Sequence, residues 1–133
     1  MNENGGLKAT HILHNQNPKT IKVEQKVQDL FFKNGDKFTL ENESSEIEGK
    51  KIDGFLNEFT HDISAINGSG KNTIKRAMNH AREKKADVTI LYFPESSEFS
   101  MERLEQGFKM YNGQTEYRFK KIIYIVDDII NYY

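Results

Sequence analysis

Asp87-Val88-Thr89-Ile90-Leu91-Tyr92-Phe93-Pro94 is the stretch on which the fold turns. Residues 88–93 are nearly all apolar and closed by an acid and a proline, too short for a helix. They read as a strand buried on both faces. On the amino side, Lys71 to Lys85 carries Ile74, Ala77, Met78 and Ala81 at spacings of three and four, the stripe of an amphipathic helix. On the carboxyl side, Pro94 to Phe99 forms a turn and Ser100 is placed to cap a further helix. Its Met101, Leu104, Phe108 and Tyr111 share one face before Asn112-Gly113 stops it. Lys120 to Val126 is the last strand. Before the middle helix, Lys51 to Ile63 has strand character with imperfect alternation, and Asn67-Gly68-Ser69-Gly70 breaks it. Strand, helix, strand, helix, strand predicts two helical crossovers on a mixed sheet, in two or three layers.

Further out, Pro18 sets up a helix from Lys19 to Lys33, with Val23, Val27, Leu30 and Phe31 on one stripe and Asn34-Gly35 as its stop. Lys37 to Leu40 is a short strand. Glu41 to Gly49, with four Glu and two Ser, is a solvated connection, either a hairpin arm or a loop. Residues 1–18 read as a flexible arm with a short strand at Thr10 to His14. The expected fold is α+β: one small domain over 19–133, an N-terminal helix followed by a mixed β-sheet with two helical crossovers.

The chain has 133 residues, 36% apolar and 29% charged, with nine Phe and six Tyr, enough bulk for a small aromatic core in one domain. Phe31, Phe32, Phe38, Phe55, Phe59, Phe93 and Phe108 are its expected members. A net charge of −1 excludes whole-molecule attraction to polyanions, so any such binding needs a local patch. With no Cys there is no disulfide framework, thiolate metal site or cysteine nucleophile. No apolar run reaches the roughly 18 residues of a membrane span, and the Asn/Gly-rich start lacks the parts of a signal peptide. The expectation is a soluble monomer with no membrane partner.

Three groups of residues could carry chemistry. The first is Lys50 to His61, where Asp53 and Glu58 are two acids on one expected strand; paired carboxylates can hold Mg²⁺ against a scissile phosphate. It resembles the signature of PD-(D/E)XK nucleases, with Asp53 and Glu58 as the acids. Thr60 stands where that signature has its lysine, and an odd spacing puts the two acids on opposite sides of an unbroken strand. The other reading is two surface acids. The second group is Ser69 to Arg76, a Gly-containing loop opening a helix. Lys71, Asn72, Thr73, Lys75 and Arg76, with Arg82 further along, could hold a polynucleotide backbone. Lys71 to Lys85 carries six basic residues and one acid. Such a face is also an ordinary solvated one. The third group is His14, with His11, Lys19 and Glu24 nearby; a neutral imidazole can take a proton from a ribose 2′-OH or give one to a leaving 5′-oxygen. His61 and His80 are weaker candidates of the same kind, and none of the four histidines has metal-ligand spacing.

The sequence from Ile12 to Asp128 resembles the C-terminal nuclease toxin domains of contact-dependent inhibition (CdiA-type) and related polymorphic and phage-borne proteins. The resemblance lies in Lys51-Ile52-Asp53-Gly54, in Asn72-Thr73-Ile74-Lys75-Arg76, and in a helix with Leu104, Gly107 and Phe108 preceding Ile122 to Asp128. It implies an α+β ribonuclease of the barnase, EndoU, colicin and RelE-like group, directed at RNA and at tRNA in particular, needing no cofactor or metal. It also implies neutralisation by a cognate immunity protein, and action in the cytoplasm of a bacterial cell after delivery as the C-terminal part of a larger secreted or phage protein. In that reading His14 is the acid–base group, Lys71 neutralises the phosphate, Thr60 or Thr73 holds a phosphate oxygen, and Glu24 and Glu58 orient the others. Two alternatives stand beside it: a Mg²⁺-dependent PD-(D/E)XK-type nuclease using Asp53 and Glu58, and a non-catalytic RNA- or partner-binding accessory domain.

Overall fold

The computed structural model describes residues 7–10, 18–40, 46–47, 50–51, 54–68, 70 and 72–133. The elements in chain order are β1 (Leu7–Thr10), α1 (Pro18–Lys33), β2 (Lys37–Leu40), β3 (Glu46–Ile47), β4 (Lys50–Lys51), β5 (Gly54–Leu56), β6 (Phe59–Ala65), α2 (Thr73–Glu83), β7 (Val88–Phe93), α3 (Met101–Asn112), β8 (Lys121–Val126) and β9 (Ile129–Tyr132). Seven strands form one mixed sheet in the order β1-β2-β5-β6-β7-β8-β9, and β3 and β4 pair separately. The fold class is α+β.

β6, β7 and β8 run parallel and in register, with His61 opposite Val88 and Val88 opposite Lys121. Parallel neighbours need a crossover, and α2 and α3 supply the two that the sequence predicts. Both interior strands alternate between two cores. Val88, Ile90 and Tyr92 of β7, with Ile123 and Ile125 of β8, pack against Val27 and Phe31 of α1. Leu91 and Phe93 pack on the other face against Ile74 and Met78 of α2 and Leu104, Phe108 and Tyr111 of α3. The molecule is therefore a three-layer sandwich with α1 on one side and α2 and α3 on the other. α3 starts where the sequence places it, with the Ser100 hydroxyl accepting from the Arg103 amide at 3.1 Å. Gly107 is needed where α3 crosses α2, since a Cβ there would stand 2.6 Å from Ile74 Cγ2.

Three expectations are revised. The single strand expected over Lys51 to Ile63 is a hairpin: β5 and β6 are antiparallel, and Asn57-Glu58 forms a two-residue turn with Asn57 at φ 55°. The imperfect alternation comes from reading through that turn. Within the expected N-terminal arm, Leu7–Thr10 is a strand that pairs in parallel with β2; of the strand expected at Thr10 to His14, residues 11–14 lie outside the described residues. Finally, the sheet does not end at Val126. Asp127 and Asp128, at φ 51° and 60°, form a tight turn into β9, which pairs antiparallel with β8.

Candidate active site

Polar side chains rarely sit buried in a sheet unless something holds them there. Here they concentrate on the first half of β6 and its neighbours: Thr60, His61 and Asp62 on β6 and Thr89 on β7 are all buried, as are Glu24 and Gln28 on α1. Strand alternation divides them between the two faces. His61 points to the α1 side, where its ring stacks on Phe38 at 4.4 Å and its Nε2 donates to the Thr39 carbonyl at 2.9 Å. That approach requires Gly54 opposite, where a Cβ would lie 1.8 Å from the Thr39 oxygen and 2.8 Å from His61 Nε2. His61 is thereby committed to holding β2, β5 and β6 together.

Thr60 and Asp62 point to the α2 side. Thr60 clasps the start of β7: its amide donates to Asp87 Oδ2 at 3.2 Å, and its hydroxyl accepts from the Asp87 amide at 3.0 Å. Asp62 has no exposed surface, yet it meets two basic side chains one helical turn apart, His80 on α2 and Lys84 at its C-cap. Lys84 Nζ stands 3.2 Å from Oδ1 and His80 Nδ1 3.5 Å from Oδ2. The Ser64 hydroxyl donates to Oδ2 at 3.4 Å. Exposure rises outward, from 0% for the Asp62 side chain to 22% for Lys84 and 57% for His80. Thr89 is opposite Asp62 in the parallel register, and its buried hydroxyl has no partner among the described residues. The result is a carboxylate sunk beneath a lysine and an imidazole that solvent reaches. It can orient and polarise the imidazole for proton transfer while the ammonium offers a positive charge to an anion.

Among the described residues, those singled out from sequence do not converge on one place. His14, Asp53 and Lys71 lie outside the described residues, as do His11 and Ser69. Glu58 is in the exposed β5–β6 turn rather than on a strand. Glu24 is buried on the α1 side and Thr60 on the α2 side, with the sheet between them, so the two do not share a site. Asn72, Thr73, Lys75 and Arg76 lie at the start of α2. Arg82 is near its end, with Nε donating to Asn79 Oδ1 at 3.4 Å. About 1.5 Å of rise per residue puts the start of α2 some 16 Å from Lys84. Sequence reading places His80 below His14 and does not single out Asp62, Ser64 or Lys84. The available signal is an acid inside a strand otherwise fit for burial, with His80 and Lys84 four residues apart on the next helix. Among the described residues no three His, Asp or Glu side chains are grouped so as to hold a metal ion, and no helix is long and apolar enough to cross a membrane.

No family model matches the chain, and no curated protein is similar to it in sequence. A solved structure is similar in fold: a chain of the CdiA-CT/CdiI toxin and immunity complex from Burkholderia pseudomallei, with a TM-score of 0.66 and 14% identity over 95% of this chain and 98% of that one. At that identity the likeness is one of fold, and it extends over nearly the whole of both chains.

Proposed function

We propose that this chain is the toxin partner of a toxin–immunity pair, a nuclease that cleaves RNA, with tRNA as its target class, and is silenced by a cognate immunity protein. The observation that carries the reading is the buried Asp62 carboxylate held against Lys84 and the solvent-reached His80. Phosphodiester cleavage needs an oriented base and a fixed cation, and a sunken carboxylate beneath an imidazole and an ammonium offers both. The fold shared with a chain of a CdiA-CT/CdiI complex supports the toxin–immunity setting. So does the sequence resemblance to CdiA-type domains, from which delivery within a larger protein into a bacterial cytoplasm also follows.

In this reading His80 removes the proton of a ribose 2′-OH, whose oxygen then attacks the adjacent phosphorus. Asp62 fixes the imidazole and stabilises its protonated form. Lys84 faces the charge that builds on the non-bridging oxygens. The 5′-oxygen leaves with a proton from a second donor, for which His14 is the sequence's candidate, and the products are a 2′,3′-cyclic phosphate and a 5′-hydroxyl. No metal enters this scheme.

The second reading is the Mg²⁺-dependent PD-(D/E)XK-type nuclease that the sequence around Asp53 and Glu58 resembles. Incubating the purified chain with total RNA, with and without EDTA, separates the two. Cleavage that survives excess EDTA, leaves cyclic phosphate ends and spares DNA supports the acid–base scheme. Cleavage abolished by EDTA and restored by Mg²⁺ supports the metal scheme. RNA left whole in both arms, and unaffected by the Asp62→Asn change, refutes the nuclease reading.

A further inference from the structure

The amino ends of β6, β7 and β8 lie side by side, and the residues that lead into them differ in character from the rest of the surface. Lys85 follows α2 in a left-handed conformation at φ 56° and is exposed. Lys120 and Lys121, also exposed, open β8, and both amides donate to the Asp87 carbonyl, fixing this corner against the start of β7. Each of the two ammonium groups stands 5.4 Å from the centre of the Phe59 ring, at the start of β6. The ring holds two long cationic side chains at one place, so less of their freedom is lost when they meet an anion. Of the acids at this end, Asp87 accepts from the Thr60 amide and pairs with Lys120 at 3.9 Å, and Glu58, Glu83 and Glu116 are exposed. Asp62, with Lys84 against it, lies three residues into β6 from Phe59 and so about 10 Å along the strand, on the opposite face of the sheet. In a chain of net charge −1 this is a local cationic rim along the amino ends of the strands whose α2 face carries the candidate active site.

We propose that Lys85, Lys120 and Lys121 form a polyphosphate-binding rim that holds the backbone of the polynucleotide whose cleavage is proposed above, on which this inference rests. The rim lies at the end of α2 opposite to the loop and first turn that the sequence suggested for RNA binding.

The test is binding of a fluorescent single-stranded 2′-O-methyl RNA, which lacks the nucleophilic hydroxyl, measured by anisotropy over a salt series in EDTA. Lys120→Gln/Lys121→Gln should lower the slope of log K against log salt by roughly 1.4, about 0.7 for each phosphate no longer neutralised, and weaken binding at least tenfold near 0.1 M salt. Lys22→Gln/Lys33→Gln, the same loss of charge on the outer face of α1, should leave the slope unchanged. Equal slopes for both double variants overturn the rim. If the rim variant loses affinity while Asp62→Asn still cuts RNA, the rim stands and the assignment of the centre fails. If Asp62→Asn abolishes cleavage while the rim variant binds like the parent, the rim fails and the centre stands.

Discussion

Replacing Lys84 by Met separates a structural ion pair from a catalytic one. Asp62 has no solvent exposure, and Lys84, 3.2 Å away, keeps 22% of its side chain exposed. Breaking a buried pair from one side costs about 3–5 kcal/mol, chiefly because a charge is left without compensation. Lys84 is partly hydrated and His80 and Ser64 remain beside Asp62, so the lower end applies: about 3 kcal/mol for Lys84→Met at neutral pH. For a domain of this size that is a fall in Tm of roughly 10 °C. Asp62→Asn should cost less, about 1–2 kcal/mol, because the freed ammonium can turn toward water. The double variant Asp62→Asn/Lys84→Met should return to within about 1 kcal/mol of the parent, a coupling of about 3 kcal/mol or more in a double-mutant cycle. Urea titration supplies the stabilities and cleavage of total RNA the activities. Stability should recover in the double variant and activity should not. A Lys84→Met protein as stable and as active as the parent would refute the role of this pair, and recovery of both properties would reduce it to a structural contact.

His80→Ala should lower RNA cleavage by about 10²–10⁴-fold with little change in urea midpoint, since most of that side chain is in solvent; His14→Ala in the same assay tests whether the arm supplies the second proton-transfer group. Gly54→Ala should cost about 3 kcal/mol or more, because the added carbon meets the Thr39 carbonyl at 1.8 Å and the His61 ring; a normal urea midpoint would show that β2, β5 and His61 are not locked together. Stability should fall as pH rises past about 10. Burial raises the pKa of both Tyr111 and Tyr117, with Asp87 adding to the rise at Tyr117 and Arg82 and Arg118 opposing it at Tyr111. Below the tyrosine pKa of the unfolded chain both states hold the proton; above it the unfolded chain loses protons first and is favoured until the folded tyrosines ionise. Denaturation midpoints followed through this range should decline, less steeply in Tyr111→Phe and Tyr117→Phe; parallel curves for parent and variants would assign the decline to other groups.

The parts of the fold legible in the sequence are those written in periodicity. Val27 and Phe31 on α1, Ile74, Met78 and Ala81 on α2, and Leu104, Phe108 and Tyr111 on α3 all reach the core for which they are spaced. The unbroken run of β7 is buried along its whole length. Turn chemistry is harder to see. Asn57-Glu58 lacks the glycine that marks a tight hairpin, so Phe55, Leu56 and Phe59 read as one strand. Asp127-Asp128 reads as the close of the last strand, although two short polar residues between Ile125-Val126 and Ile129-Ile130 are what a positive-φ turn accepts. The site is less legible for a different reason. Its members lie on β6, the C-terminal half of α2 and β7, and only the parallel register sets Asp62 beside Thr89 and beneath His80 and Lys84. In sequence alone Lys84 is one of six basic residues in a helix, and nothing local separates it from Lys75 or Lys85.

The position of the site follows from how β6 is held. In open sheets of this kind ligands usually gather at the carboxyl ends of parallel strands, where the following helices begin. Here that end is filled by apolar and loop packing: Ile66 and Phe93 are buried beside α2 and α3, and Arg103 reaches across to donate to the Gly70 and Glu98 carbonyls. The opposite end carries the costly groups. Burying Asp62 and Thr89 under α2 lowers stability unless each is compensated, and an apolar pair at these positions would fit the core more simply. The structure instead directs its local constraints to keeping them in place. The Thr60–Asp87 clasp fixes β6 against β7, His61 ties β6 to β2 over Gly54, and the i, i+4 spacing of His80 and Lys84 brings two basic groups to one carboxylate. Three neighbouring constraints converge on a group that the fold would be more stable without, the kind of local conflict that functional sites carry. That is the physical ground for proposing the centre at Asp62 rather than at the first turn of α2.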